Sequence, residues 1–295
     1  MRRLPLLLNK LGNKTSPTVL NVGGKIWPTL NRGMPGDLLA GVTVRVADLL
    51  PGPEVDYICD VHELSSIGAT FDLIVSSFML EHVEHPDRAV AEMAKCLNPG
   101  GLLYIVTNCT FPLHWFPSDY YRFSDQAMVS LCRKVGLTVG QVSMFDAVRV
   151  MPLSSNSCLQ DKVDSWACVD VVACKGKYAM DIGVGLDGVL YQHPVFFGHM
   201  ISAMSAAGHR FHCISSHAKD EWETDSIRLK SLGIDPDLIS TELMNTTRHG
   251  SLQLKASMAD RLDVVFDDDG RVQTHTSTPV ICPPVDGAYK YQRFI

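Results

Sequence analysis

The sequence predicts an α/β protein of two domains, each a mainly parallel sheet flanked by helices. Three observations carry this. Apolar runs of strand length alternate with segments of helical period along the chain. The first such run, Val19–Val22, opens onto Gly23 and Gly24, a glycine turn at the carboxyl end of a strand, where open α/β sheets bind ligands. The alternation then starts afresh near Tyr178, and 295 residues are enough for two cores.

Taken in order, residues 1–15, opening "MRRLPLLLNKLGNK", read as an N-terminal helix or arm. Its apolar part is too short and too soon interrupted for a secretory signal. "TVLNVGG", "VTVRVAD", "VDYICD", "FDLIVSS", "GLLYIVTN" and "ACVDVVACK" read as buried strands. Between them, "PDRAVAEMAKCLNPGG" places Ala89, Val90, Met93 and Leu97 on one helical face, with Pro-Gly-Gly expected to close the helix. The boundary falls near 175–178, which gives a first domain at 16–176 and a second at 177–295. In the second, "YAMDIGVGLDGVLY" is a strand and turn, "VFFGHMISAMSAAGHR" a helix and "FHCISSH" a strand. "EWETDSIRLKSLGI" is a helix, and "LQLKASMADRLDVVFDDDG" is a helix leading into a strand that ends in acids.

Composition narrows the function classes. Hydrophobic residues make up 46% and charged residues 20%, as in a globular protein with a real core. A net charge of −6 argues against binding nucleic acid through bulk electrostatics. No run is long enough to span a bilayer. Nine cysteines are scattered, most of them in apolar strings, with no C-x-x-C pair and no ligand-like clustering with histidine, which argues against a zinc site and fits buried thiols in a reducing cytoplasm.

The candidate site residues of the first domain lie at strand ends. Asp48 ends the second strand, where an acid can accept hydrogen bonds from ribose hydroxyls. Asp60 ends the next, placed to meet an adenine edge. Either acid could instead cap a helix or begin a turn. Taken together, Gly23-Gly24, Asp48, Asp60, "FDLIVSSFMLEHVEHP", "LNPGGLLYIVTN" and "FPSDYYRFS" resemble class I S-adenosylmethionine-dependent methyltransferases over about residues 16–176. The likeness is greatest to the small enzymes of polysaccharide and antibiotic gene clusters. The resemblance implies a seven-stranded Rossmann-like sheet. It implies that Asn21, Gly23 and Gly24 line the methionine part of S-adenosylmethionine and that Asp48 binds the ribose. Asp60 and Val61 would frame the adenine, with Ser77, Met79 and Leu80 covering the cofactor. The family usually has an acid where Asn21 stands and a small residue where Ile26 or Trp27 stands.

Methyl transfer asks little of side chains beyond positioning, because the sulfonium carbon is already activated. His114, Asp119 and Tyr121 are the candidate catalytic residues, since the segment after the strand ending near Asn108 builds the acceptor pocket in such proteins. The alternatives are a surface or core histidine at 114 and an Asp119–Arg122 ion pair that pins the loop. His82 and His85 flank a helix start and read as local caps. The acceptor would be a small molecule or saccharide.

The second domain resembles haloacid dehalogenase-like phosphatases over roughly residues 178–283, with no large cap. Asp187, Ser215, Lys255, Asp267 and Asp268 match that family's order, but Gly185 stands where its nucleophilic aspartate belongs. The resemblance implies that Ser215 and Lys255 hold phosphate, and that Asp187, Asp267 and Asp268 form a weak Mg²⁺ site. It also implies that hydrolysis is lost. The competing readings are an ordinary hairpin and exposed acidic turn, a scaffold protein made of two enzyme folds without chemistry, and a working phosphatase.

Overall fold

The computed structural model describes residues 3–11, 14–24, 41–114, 118–151, 163–245, 252–276 and 278–282. Ile26, Trp27 and Phe116 lie outside them. The chain divides into two compact units, Met1–Tyr178 and Ala179–Ile295. Among the described residues, no helix is long and apolar enough to cross a membrane.

The N-terminal unit is built on a seven-stranded sheet in the order β3-β2-β1-β4-β5-β7-β6. Its strands are β1 (Thr18–Val22), β2 (Thr43–Asp48), β3 (Tyr57–Ile58), β4 (Phe71–Ser77), β5 (Leu97–Asn108), β6 (Thr138–Val150) and β7 (Val163–Cys174). β3, β2, β1, β4 and β5 run parallel, while β7 is antiparallel to both β5 and β6. Strand β4 is buried at every position, the mark of a central parallel strand covered on both faces. The helices are α1 (Leu4–Leu11), α2 (Pro86–Lys95) and α3 (Asp125–Lys134). Helix α3 starts at Ser124, whose hydroxyl accepts from the Ala127 N–H at 3.2 Å.

Two sequence expectations change here. Pro99-Gly100-Gly101 does not close α2, which ends at Lys95 with Cys96 as its cap; the segment lies in the irregular start of β5, where the register on β4 shifts. A long strand, β6, occupies a stretch that the sequence does not mark, because its half-buried edge position removes the apolar alternation.

The C-terminal unit holds a five-stranded parallel sheet in the order β10-β9-β8-β11-β12. The strands are β8 (Asp181–Val184), β9 (Arg210–Cys213), β10 (Ile239–Ser240), β11 (Val264–Phe266) and β12 (Val280–Ile281). The helices are α4 (Pro194–Ala206), α5 (Trp222–Ser231) and α6 (Leu252–Ala259). After β8 the chain makes one π-helical turn, Leu186–Leu190, in which the Leu190 N–H reaches back to the Gly185 carbonyl at 3.3 Å. Such turns are rare and concentrate at functional sites.

Candidate active site

The carboxyl ends of β1, β2 and β4 border a cleft of about 1080 Å³ in the N-terminal unit. Its lining includes Gly23, Asp48, Asp60, Val61, Ser77 and Met79, six of the residues singled out for the cofactor. The backbone at Gly23 is left-handed, with φ of 76°, and a Cβ there would fall 2.6 Å from Met79 Cγ. Glycine is therefore required both by conformation and by space. Asp48 Oδ1 accepts from the Leu50 N–H at 3.0 Å, a local turn bond that fixes the carboxylate at the end of β2. Asp60 Oδ1 caps the next turn through the His62 N–H at 2.9 Å, and that backbone bond lowers its pKa below the ordinary carboxylate value. Three buried polar atoms on lining residues have no hydrogen-bond partner among the described residues: Ser77 Oγ, Asn108 Oδ1 and His62 Nε2. Buried polar groups are normally satisfied, so these orphans mark a cleft that suits a polar ligand. Two strand-end carboxylates, a glycine turn and unpartnered polar atoms together fit a nucleoside-bearing cofactor such as S-adenosylmethionine.

Other candidates lie elsewhere. Asn21 is buried within β1, and its amide stands where a Cβ on Gly24 would fall, 2.3 Å from Nδ2. Leu80 is fully buried in the hydrophobic core. Asn21, Gly24 and Leu80 do not line the cleft.

His114 lines the cleft; Asp119 and Tyr121 do not. Asp119 is committed to its own loop, with Oδ2 2.7 Å from Arg122 Nη2 and 2.8 Å from the His114 N–H. Those bonds, led by Arg122, hold its carboxyl well below the usual range, which unfits it as a proton acceptor near neutrality. The loop-pinning ion pair that the sequence left open is what forms. Tyr121 donates its hydroxyl to the Glu84 carbonyl at 3.0 Å. His85 occupies the position before α2 but makes no capping bond. His82 directs Nδ1 at the Ser118 carbonyl rather than capping a helix. One grouping has no signature in the sequence: Glu81, His82 and His114 bring a ligand-type atom each within 4.8 Å of one another.

In the C-terminal unit, Lys255 Nζ lies 2.9 Å from Asp267 Oδ2; Asp267 is fully buried and Lys255 half-buried. Burial raises the Asp267 pKa above the ordinary value although Lys255 opposes it. Asp187 is more than half exposed and lies 3.3 Å from His217 Nε2. His217 Nδ1 meets Asp225 Oδ2 at 2.9 Å, and Asp225 Oδ1 accepts from the Tyr191 hydroxyl at 2.6 Å. Ser215 is buried, its hydroxyl accepting from the His217 N–H at 3.3 Å. The weak Mg²⁺ site expected from Asp187, Asp267 and Asp268 does not assemble as a ligand cluster among the described residues. Asp267 is neutralised by Lys255, and Asp187 turns to His217.

Residues 40–105 match the family described as "Methyltransferase domain". With the seven-stranded sheet, this makes the N-terminal unit a class I S-adenosylmethionine-dependent methyltransferase domain with a Rossmann-like fold. Two curated proteins named ubiquinone biosynthesis O-methyltransferase are similar to the chain. The protein of Parvibaculum lavamentivorans is 40% identical over 67 residues, which is 22% of this chain and 26% of that protein. The protein of Nitrosococcus oceani is 33% identical over 112 residues, 32% of this chain and 48% of that protein. The chain thus spans about half the length, or less, of these curated relatives. Among solved structures, the Burkholderia thailandensis 1,6-didemethyltoxoflavin-N1-methyltransferase with bound 1,6-didemethyltoxoflavin and S-adenosylhomocysteine is 21% identical, with a TM-score of 0.40 over 60% of this chain and 78% of that one. A S-adenosylmethionine-dependent methyltransferase from Archaeoglobus fulgidus is 14% identical, with a TM-score of 0.41 over 58% of this chain and 94% of that one.

Proposed function

We propose that the protein transfers a methyl group from S-adenosylmethionine to an oxygen of a small-molecule acceptor, a saccharide being one such class. The observation that carries this is the cleft at the ends of β1, β2 and β4, whose lining includes Gly23, Asp48, Asp60, His82 and His114. The names of the curated relatives favour oxygen as the accepting atom. Asp48 would accept the ribose hydroxyls, Asp60 and Val61 would frame the adenine, and the turn at Gly23 would bring backbone against the methionine part. The cofactor supplies an activated methyl on sulfur. The chain's own residues hold the acceptor in line with it and exclude water.

The C-terminal unit is read as a haloacid dehalogenase-like fold that binds or regulates rather than hydrolyses. Gly185 has no side chain to attack phosphorus, and Lys255 is paired with Asp267.

The test is calorimetry of S-adenosylhomocysteine binding to the full chain and to Asp48→Ala. Binding to the wild type is expected. Loss of a charged acceptor for two hydroxyls should weaken it by about 1.5–3 kcal/mol in the variant. No heat with the wild type, or an unchanged Kd in a folded variant, contradicts the reading.

A further inference from the structure

We propose that Glu81, His82 and His114 form a binding site for a divalent transition-metal ion inside the cleft of the N-terminal unit. The use made of the ion rests on the methyl-transfer reading; the existence of the site does not.

Geometry comes first. One ligand-type atom from each residue lies within 4.8 Å of the others, close enough for a single ion to touch all three after small adjustments. All three residues line the cleft. The rings of His82 and His114 meet edge to face, with centroids 4.8 Å apart and planes at 75°.

His82 Nδ1 faces the Ser118 carbonyl, and His114 Nδ1 lies 3.2 Å from the Pro112 carbonyl. A carbonyl only accepts, so each Nδ1 carries the proton and each Nε2 keeps its lone pair. His114 Nδ1 is also 3.5 Å from Asp119 Oδ2, which strengthens that tautomer. Metal-binding histidines characteristically donate their other ring N–H to a carbonyl or carboxylate. Here both do so with no ion invoked to explain it.

Glu81 is fully buried. Its Oε2 accepts from the Thr107 hydroxyl and its Oε1 from the Asn108 amide, each at 2.8 Å. Both partners are neutral, and each oxygen retains a lone pair. A buried carboxylate held rigidly by neutral donors is suited to receive a cation. Asn108 turns its amide nitrogen to Glu81 while its Oδ1 is buried without a partner among the described residues. That oxygen can accept a hydrogen bond from a water or hydroxyl held on the ion.

Two imidazoles and a carboxylate suit Zn²⁺, Fe²⁺, Co²⁺ or Mn²⁺ rather than Mg²⁺, which prefers oxygen. Three protein ligands leave coordination positions open. An acceptor hydroxyl on such a position becomes more acidic and gives its proton to solvent water. The oxygen then attacks the sulfonium methyl carbon; the C–O bond forms as the C–S bond breaks, and neutral S-adenosylhomocysteine leaves. The acceptor class is a phenol or sugar hydroxyl, favoured when a neighbouring oxygen completes the coordination.

The experiment uses the full chain freed of cations by chelator and dialysis. Zn²⁺ and Co²⁺ are added alone and followed by calorimetry and, for Co²⁺, by visible absorption. Wild type, His114→Ala and His82→Gln are compared, with S-adenosylhomocysteine binding measured on each. Stoichiometric binding to wild type is expected, falling by roughly 10-fold or more in both variants while S-adenosylhomocysteine still binds. In the wild type, Zn²⁺ should also protect His82 and His114 from diethyl pyrocarbonate, read by mass spectrometry. Absence of stoichiometric binding, unchanged affinity in both variants, or full modification of both histidines under saturating Zn²⁺ overturns the site. Metal binding without S-adenosylhomocysteine binding would keep the site and remove the methyl-transfer reading; the reverse would do the opposite.

Discussion

Each unit contains five parallel strands in the same spatial order, third, second, first, fourth and fifth, and in each the first strand is followed directly by a glycine. The two glycines answer different needs. Gly23 has φ of 76° and no room for a Cβ beside Met79. Gly185 has φ of −76° and ψ of 155°, an extended backbone open to any residue, and a Cβ there would meet Asp267 Oδ2 at 3.3 Å. The first glycine makes a cradle; the second simply leaves out a side chain. The acids differ in the same way. In the N-terminal cleft, Asp48 and Asp60 are set by short backbone bonds. In the C-terminal unit, Asp267 is buried against Lys255. A fold of the same strand order thus sets two carboxylates on a cleft in one unit and neutralises one internally in the other.

The largest effect expected from this contrast is at Lys255. Lys255→Met leaves Asp267 buried without its cation, and breaking such a pair costs about 3–5 kcal/mol. Burial already raises the Asp267 pKa. A carboxyl whose folded pKa lies above its unfolded one is tolerated while protonated and destabilises as pH rises. The deficit of Lys255→Met should therefore grow from pH 5 to pH 8. Hydrogen exchange read peptide by peptide would localise it to residues 179–282, and a double variant with Asp267→Asn should recover much of the loss. A deficit independent of pH would mean that Asp267 is not the buried charge responsible.

How far the sequence anticipated this depends on whether a feature is local. Strands β1, β4, β5 and β7 are legible because buried central strands are continuous apolar runs, whereas β2, expected to be buried, alternates between exposed and half-buried positions up to Ala47. β6 is not legible, because an edge strand of mixed exposure carries no such run. Glycines and acids at strand ends were legible because each sits within a few residues of its strand. Leu80, expected over the cofactor, is instead a core residue for a related reason: adjacency to the cleft in sequence does not say whether a side chain points at the cleft or the core. The Glu81–His82–His114 grouping spans more than thirty residues, and only the fold brings it together. Likewise, nothing in the sequence set His217 between Asp187 and Asp225.

A smaller effect separates the units by acid. Asp72 accepts from Lys14 Nζ at 2.6 Å and from the Thr18 N–H at 2.9 Å. Burial by itself would raise its pKa, but these bonds, with Asn98, outweigh burial and hold it at about 2. A depressed carboxyl stabilises the fold above its unfolded pKa, and that contribution is lost as pH falls through the folded value. For Asp72 the window runs from about pH 4 down to about pH 2, with roughly 2 kcal/mol at stake. Asp72→Asn should cost about that amount at pH 7 and flatten the acid limb of stability for residues 3–174, again read by hydrogen exchange. An acid limb unchanged in the variant would place the titrating group elsewhere.

The smallest effect is the most direct test of the glycine comparison. Alanine at position 23 must adopt a left-handed backbone, at about 1–2 kcal/mol, and push against Met79. Gly23→Ala should therefore lose stability and also S-adenosylhomocysteine affinity, because the turn carries the cradle. Gly185→Ala meets no backbone penalty, and restricting the unfolded chain favours it by about 0.4–1 kcal/mol. Against that gain stands the 3.3 Å approach of the new Cβ to Asp267 Oδ2, an oxygen already fixed by Lys255. The two terms are of similar size, so the net change at 185 should stay within about 1 kcal/mol of zero. Equilibrium denaturation of the two variants beside wild type decides the matter. If Gly185→Ala proves as harmful as Gly23→Ala, position 185 needs glycine for its backbone, and the missing side chain is a demand of the fold rather than a loss of chemistry.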